Sequence, residues 1–232
     1  MKSEIDAVLR VPLDPLPAQE LRLQALQQAF AEVCNAIAPL VMQTGVWNRV
    51  ALHHMAYKPM RARFPQLGSQ MICNAIYAVS RTCRWVFQRP GSAYHVSSWR
   101  GRPLPQLHFS PRCPVYLDRN TFSLKQGQAS LYTLDGRMRF ELALGDRREA
   151  LFHSAKLVEI VLLRVRERYE MRFHLQAGAP QLDAEAARLD ADPDDDDLID
   201  NDYLQVDGQP MAIPTLAGRE RASHGMRSGG RA

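Results

Sequence analysis

Six polar side chains recur at intervals of four and three residues along positions 70–88. They are Gln70, Asn74, Tyr77, Arg81, Arg84 and Gln88. On a helix this spacing places all six on one face. Amides and guanidinium groups bond phosphates, sugars and base edges, and a tyrosine ring stacks on a base. The stripe therefore predicts contact with a nucleic acid, and the alternative is a solvated helix face beside an ordinary core.

The stripe lies within a long segment that contains no acidic residue. Positions 33–117 carry ten Lys and Arg side chains and not one Asp or Glu. Arginine binds phosphate bidentately, and proteins that bind single strands interleave such cations with aromatic rings. The other predicted contacts in this segment are the cations Arg49, Lys58, Arg61, Arg63, Arg89, Arg100, Arg102 and Arg112, and the stacking residues Trp47, Tyr57, Tyr94 and Trp99.

Charge is divided unevenly along the chain. Residues 1–176 have a net charge of +11 and residues 177–232 a net charge of −7, which together give the formal +4 of the whole sequence. A basic body with an acidic end predicts a polyanionic partner. A GC-rich genome would explain the excess of Arg over Lys, but it would not explain 85 residues without an acid.

Residue patterns that support catalysis are missing from the sequence. It has no GxxxxGK[ST], GxGxxG or GxSxG motif. The cysteines lack the spacing of a zinc site and are interpreted as buried thiols. His53 and His54 would point about 100° apart on a helix, which disfavours a shared metal ion. We expect no catalytic residue, no bound metal and no cofactor.

Hydrophobic periodicity predicts the elements that position these residues. Helices are expected at 18–42, 46–57 and 70–88, with Ser69 as the N-cap of the third helix and a basic loop at 58–65. Alternation predicts strands at 3–11, 107–109, 114–118, 120–125, 129–134, 137–144, 156–166 and 168–176.

These elements indicate an α+β fold in which a small antiparallel β-barrel or sandwich carries an inserted helical bundle. The β domain takes residues 1–17 and 104–176, the helical domain takes 18–103, and 177–232 forms a mostly disordered acidic tail with a weak hairpin near 203–213. The acidic run at 190–197 is interpreted as a solvating linker, with nucleic-acid mimicry and metal binding as the two alternatives.

No stretch approaches the roughly 20 apolar residues that span a bilayer. The N-terminus also lacks the apolar core of a signal peptide. We therefore expect a cytoplasmic protein without a membrane partner.

The order of these elements resembles the N-terminal half of TnpB-type transposon proteins and of type V CRISPR effectors. The resemblance covers about residues 3–176. It is carried by the segments VLRVPLDP and LQALQQAFAEVCNAIAPLV, the pair Trp47-Asn48, the helix FPQLGSQMICNAIYAVSRTCR and the β segment KLVEIVLLRVRERYEMRFHL.

The resemblance implies a wedge-like β-barrel with an inserted recognition domain that holds a guide RNA and the guide–target duplex. Gln70, Asn74, Tyr77, Arg81 and Arg84 would face that duplex. Scaffold RNA would be held by Arg137, Arg139 and the strands at 156–172. Such proteins read duplex shape while base pairing reads sequence. The partners implied are RNA, target DNA and a separate nuclease or effector protein.

The same family has a RuvC-like nuclease after this region, where only 56 residues of this sequence follow. The segment around Asp200 and Asp202 only faintly resembles the first strand of that nuclease domain. The resemblance therefore implies a protein that lacks the nuclease and is not an enzyme. The alternatives are a guide-independent RNA- or DNA-binding regulator, a protein whose basic face binds an acidic protein, and an inactive transposon remnant. We also expect charge reversal at Arg81 and Arg84 to weaken RNA binding and leave the fold intact.

Overall fold

A computed structural model describes residues 7–99, 103–142, 144–165, 167–176, 201–207 and 209–210. Among these residues the order of elements begins with a strand and three α-helices and continues with a β-rich half that contains one further α-helix. The mixed α+β class expected from the sequence is confirmed. No helix in the described parts of the chain is both long enough and apolar enough to cross a bilayer.

The three long helices follow the predicted order, and their ends have local causes. Helix α1 (Pro17–Thr44) begins with a proline at its first position and ends at Gly45, whose φ of 64° is left-handed. Helix α2 (Arg49–Arg63) is capped by Asn48, whose side chain accepts two backbone N–H bonds. Helix α3 (Ser69–Gln88) has Gly68 as its N-cap, so the prediction that Ser69 caps it is wrong.

The prediction of a basic loop at 58–65 is wrong, because helix α2 continues through most of this segment. Pro59 lies inside the helix, although proline usually interrupts one. The buried residues Leu52, Ala56 and Met60 are spaced by four and continue the apolar face past the proline. Packing of that face therefore outweighs the local preference that made the sequence look like a loop.

The strands form three antiparallel sheets. The central sheet has the order β1 (Ala7–Pro12), β8 (Arg168–Gln176), β7 (Lys156–Val165) and β3 (Val115–Leu117). The outer sheet is the meander of β4 (Phe122–Lys125), β5 (Gln128–Thr133) and β6 (Gly136–Glu141). The small sheet joins β2 (Leu107–Phe109) to β9 (Leu204–Val206) and β10 (Gln209–Pro210).

None of these sheets closes on itself within the described residues, so the strands present do not make the expected barrel. The expected return of the N-terminal strand into the β region is confirmed, because β1 pairs with β8 over its whole length. The three helices are thus inserted between two strands of the β-rich part.

The two faces of the central sheet have different neighbours. In the register of β7 and β8, Ile160 pairs with Phe173 and Glu159 pairs with His174, so these two pairs point to opposite faces. Phe173 contacts Phe122 of the outer sheet at a ring separation of 5.4 Å. Glu159 contacts helix α3 on the opposite face. The central sheet therefore lies between the outer sheet and the helices.

Helix α4 (Gly145–Ser154) was not predicted from the sequence. Its buried residues are Leu151 and Phe152, and the Phe152 ring lies 5.2 Å from Phe173 of the central sheet. Two apolar contacts in ten residues leave too weak a period for recognition from sequence. The predicted strand at 137–144 correspondingly ends at Glu141.

Part of the predicted tail is folded onto the body. Strands β9 and β10 form the expected hairpin, and β9 also pairs with β2. Tyr203 is buried, its ring stacks on Phe109, and its carbonyl accepts a hydrogen bond from Ser110 N–H at 2.7 Å. The acidic run at 190–197 lies outside the described residues.

Candidate nucleic-acid interface

Helices α2 and α3 run antiparallel and bring polar residues together along one seam. The Arg49 guanidinium lies 4.9 Å from the centre of the Tyr77 ring. One turn further along α2, the His53 Nε2 lies 3.7 Å from the Cys73 Sγ. Tyr57 stacks on His53 with ring centres 4.8 Å apart. We call these five residues, together with Gln70, Arg81 and Arg84 on the same face of α3, the α2–α3 seam.

Tyr77 is fixed by an acid that is distant in sequence. Its hydroxyl donates to Glu159 Oε1 at 2.5 Å across the boundary between α3 and the central sheet. Glu159 is only 6% exposed. Burial, followed by the charge of the Glu159 carboxylate and the hydrogen bond to it, raises the pKa of Tyr77 well above its ordinary value. The phenol therefore remains a protonated hydrogen-bond donor at neutral pH.

Arg81 belongs to the same buried cluster. Its Nη2 lies 3.6 Å from Glu159 Oε2, and its Nε donates to the Tyr116 hydroxyl at 3.3 Å. Burial of Arg81 opposes its charge, but interactions with Tyr116, Glu159 and Tyr77 raise its pKa, so the guanidinium is charged. Charge reversal at Arg81 would place a second carboxylate beside Glu159, so the contact favours a destabilised fold over the intact fold expected from the sequence.

Four cations of the acid-free segment are exposed and form no ion pair with any residue that the structure describes. We call them the open cations; they are Arg49, Lys58, Arg63 and Arg84. Arg49 and Arg84 lie along the seam, whereas Lys58 and Arg63 are further along α2. Arg112, another predicted contact of the same segment, is instead ion-paired with Glu167 at 2.6 Å. In the central sheet Arg172 is likewise paired with Glu170 at 2.6 Å.

The aromatic residues predicted to stack on bases contact other rings of this protein. Trp47 lies 5.6 Å from Phe87, and Tyr94 lies 6.4 Å from Trp99 in a stacked arrangement. Tyr57 is stacked on His53. All four are half-buried.

The amide groups of the stripe are less accessible than the sequence indicates. Asn74 is only 6% exposed and accepts a hydrogen bond from the Gln70 amide at 3.3 Å. Its Nδ2 is buried without a hydrogen-bond partner in the structure. Only Arg84 and Gln88 of the stripe are exposed, whereas Gln70, Tyr77 and Arg81 are half-buried. The predicted role of Asn74 in contacting a duplex is therefore not supported by its position.

The remaining predicted residues are dispersed over the molecule. Arg61 donates to the Leu67 carbonyl, and Arg89 lies over the Trp85 ring. Arg137 and Arg139 are exposed on the outer sheet, and Arg137 donates to the carbonyls of Ser130 and Asn120. Arg100 and Arg102 lie outside the described residues. The structure therefore joins the seam residues into one site, but it places the outer-sheet arginines apart from them.

Sequence reasoning missed Glu159 and Tyr116, which hold the centre of the seam. Both lie in strands whose alternation was recognised, but nothing in the sequence showed which helix would face them. One local signal was present: Glu159 is the only acid among the apolar residues between Leu157 and Leu163. The pairing of β7 with β8 shifts register between Leu157 and Glu159. Irregularities of this kind often change the direction in which a neighbouring side chain points.

No group of three or more His, Cys, Asp or Glu residues suited to hold a metal ion occurs in the parts of the chain that are described. The adjacent His53 and His54 rings are nearly perpendicular, with an interplanar angle of 84°. Burial raises the pKa of Cys73 above its ordinary value, which disfavours the thiolate that a metal would need.

Comparison of the sequence with known protein families and with curated proteins found no match.

Proposed function

We propose that this protein binds nucleic acid through the open cations of helices α2 and α3. The observation that carries the proposal is that these exposed cations form no ion pair with any acid that the structure describes, and that their own segment contains no acid. Unpaired surface cations attract phosphates and release condensed counterions when they bind them. Cations already held in ion pairs, such as Arg81, contribute less because binding would have to replace an existing partner.

The arrangement favours the phosphate backbone of a duplex over the bases of a single strand. Proteins that bind single strands offer aromatic faces on which bases stack. In this protein Trp47, Tyr57, Tyr94 and Trp99 already pack against other rings. Contacts made by guanidinium and ammonium groups are sufficient for recognition of backbone geometry, which carries little sequence information.

A finer form of the proposal rests on the resemblance to TnpB-type and type V proteins alone. In that form the β-rich part is wedge-like, the bound duplex is a guide RNA or its hybrid with DNA, and the protein acts by occupancy or with a partner that supplies cleavage. Sequencing the RNA that co-purifies with the full chain tests it. One abundant structured RNA supports a guide, and a mixed pool contradicts it.

The proposed binding is tested by fluorescence anisotropy with a 20-base-pair RNA duplex, a matching DNA duplex and their single strands at several salt concentrations. We expect both duplexes to bind more tightly than either strand. Arg49→Ala and Arg84→Ala should each weaken duplex binding about tenfold, because a charge-assisted contact contributes about 1.5 kcal/mol.

Arg119→Ala is the matched control, since Arg119 is an exposed arginine outside the acid-free segment and next to Asp118. We expect this control to bind the duplex like the wild type. Equal weakening by all three substitutions would show that only net charge matters. Absence of duplex binding, with salt-dependent binding to a polyglutamate chain, would instead favour an acidic protein as the partner.

A further inference from the structure

Arg49 lies at the start of an uninterrupted chain of contacts that leads into the protein interior. Its guanidinium rests on the Tyr77 ring at 4.9 Å, and the Tyr77 hydroxyl donates to Glu159 Oε1 at 2.5 Å. Glu159 lies in a central-sheet strand, whereas Arg49 begins helix α2. Three separate elements therefore determine where one exposed cation is placed.

The stacked position suits a guanidinium that binds phosphate. An arginine on an aromatic face is attracted to the negative face of the ring. Its N–H donors lie in the plane of the guanidinium and point outward from its edges, so stacking leaves them available for bidentate bonds to phosphate oxygens. Arg49 is exposed and has no acidic partner among the described residues, so its N–H donors are accessible to a phosphate.

The tyrosine platform is itself held rigidly. The side chain of Glu159 is 4% exposed, and its other oxygen lies 3.6 Å from Arg81 Nη2. Arg81 is in turn bonded to the buried Tyr116 hydroxyl at 3.3 Å. Glu159 is thus held by a hydrogen bond at Oε1 and by an ion pair at Oε2, although Oε2 has no hydrogen-bond partner in the structure. Rotation of the carboxylate would break one of these contacts and remove the support of the Tyr77 hydroxyl. A fixed platform lowers the conformational entropy that Arg49 loses on binding.

We infer that Tyr77 and Glu159 are positioning residues, which hold the Arg49 guanidinium in the pose that binds a phosphate. The inference rests on the proposed nucleic-acid binding and assigns a task to two residues that do not themselves touch the ligand. It also gives the Glu159 carboxylate a role beyond stability, because Glu159 holds the tyrosine on which the Arg49 guanidinium rests.

The test is a double-mutant cycle with Arg49→Ala and Tyr77→Phe, measured as RNA-duplex affinity. Tyr77→Phe keeps the ring and removes the bond to Glu159, so we expect affinity to fall about threefold with an unchanged salt dependence. Arg49→Ala should lower affinity about tenfold and reduce the slope of log K against log salt by about 0.9. In the Arg49→Ala background, Tyr77→Phe should have no further effect on affinity.

Tyr132→Phe is the matched control, because Tyr132 is a half-buried tyrosine outside the seam. Its hydroxyl also bonds a residue of another element, accepting from Gly68 N–H at 2.9 Å, and its loss should leave affinity unchanged. Melting temperatures of all variants show whether each one is folded. If Tyr77→Phe proves unstable, Glu159→Gln replaces it in the same cycle, because it exchanges the charge-assisted bond to Tyr77 for a weaker neutral one and removes the ion pair with Arg81. Glu159→Gln should lower affinity in the wild-type background and have no further effect beside Arg49→Ala.

Additive losses in the cycle, or a Tyr77→Phe protein that melts earlier but binds like the wild type, would overturn the inference and show a purely structural role. In that case Arg84→Ala would still weaken binding and the proposed function would stand. If the wild type shows no salt-dependent duplex binding, both proposals fall together.

Discussion

Replacing Arg81 by methionine should destabilise the protein much more than the same change at Arg84, although both residues lie on one face of α3. Arg81→Met leaves the Glu159 carboxylate buried without its cationic partner. Removing one partner of a buried ion pair costs about 3–5 kcal/mol. The Arg81 side chain is 25% exposed and the pair is 3.6 Å apart, so we expect a loss near the lower end, about 3 kcal/mol.

The assay is urea unfolding followed by circular dichroism, with a thermal scan in parallel. For a chain of this size each kcal/mol corresponds to about 2–4 °C, so Arg81→Met should melt about 6–12 °C below the wild type. Arg84→Met is the matched control, and as an exposed substitution it should remain within about 0.5 kcal/mol of the wild type.

A second variant separates the lost ion pair from the lost packing of the arginine stem. The double variant Arg81→Met with Glu159→Gln removes both charges and should recover more than half of the lost stability. Equal stability of Arg81→Met and Arg84→Met would show that the ion pair between Arg81 and Glu159 does not stabilise the contact between helix α3 and the central sheet. If the double variant recovers no stability, Arg81 stabilises the protein through the packing of its aliphatic chain and not through its charge.

Two further predictions concern stability. Tyr203→Ala should reduce the free energy of unfolding by about 3–5 kcal/mol, because the buried Tyr203 ring stacks on Phe109. A urea midpoint equal to that of the wild type would show that the docking of Tyr203 contributes nothing to stability. Burial raises the pKa of Tyr116 to about 12, above its ordinary value near 10, so folding keeps the phenol protonated. That contribution is fully present below pH 10 and is lost as the pH rises through 12, a change on the order of 3 kcal/mol. Urea unfolding from pH 9 to pH 12 should therefore be less pH-dependent in Tyr116→Phe than in the wild type, and equal pH dependence would contradict the burial argument.

The sequence predicted most helices and strands because their apolar residues recur with a clear period. Helix α3 differs from its predicted range by one residue at its start, and strand β8 has the predicted range. The errors fall where packing overrides local preference. Helix α2 continues through Pro59 because Met60 completes its buried face, and α4 is held by two apolar residues only.

The site was predicted less well, for a different physical reason. A polar stripe on a helix has the same spacing whether it faces water or a buried carboxylate. Arg81 and Arg84 look alike in the sequence, yet the first is ion-paired with Glu159 and the second is exposed. Which residue meets an acid depends on pairing between elements 82 residues apart, as in the bond between Tyr77 and Glu159. Short-range periodicity contains no information about such a pairing.

The most direct measurement of the central claim is the salt dependence of duplex affinity for the wild type and for the double variant Arg49→Ala with Arg84→Ala. If each of the four open cations neutralises one phosphate, log K should fall against log salt with a slope of about −3.6, and affinity should drop about 150-fold between 50 and 200 mM salt. The double variant should have a slope of about −1.8. Identical slopes for the two proteins, or an affinity independent of salt, would contradict the assignment of these cations to nucleic-acid binding.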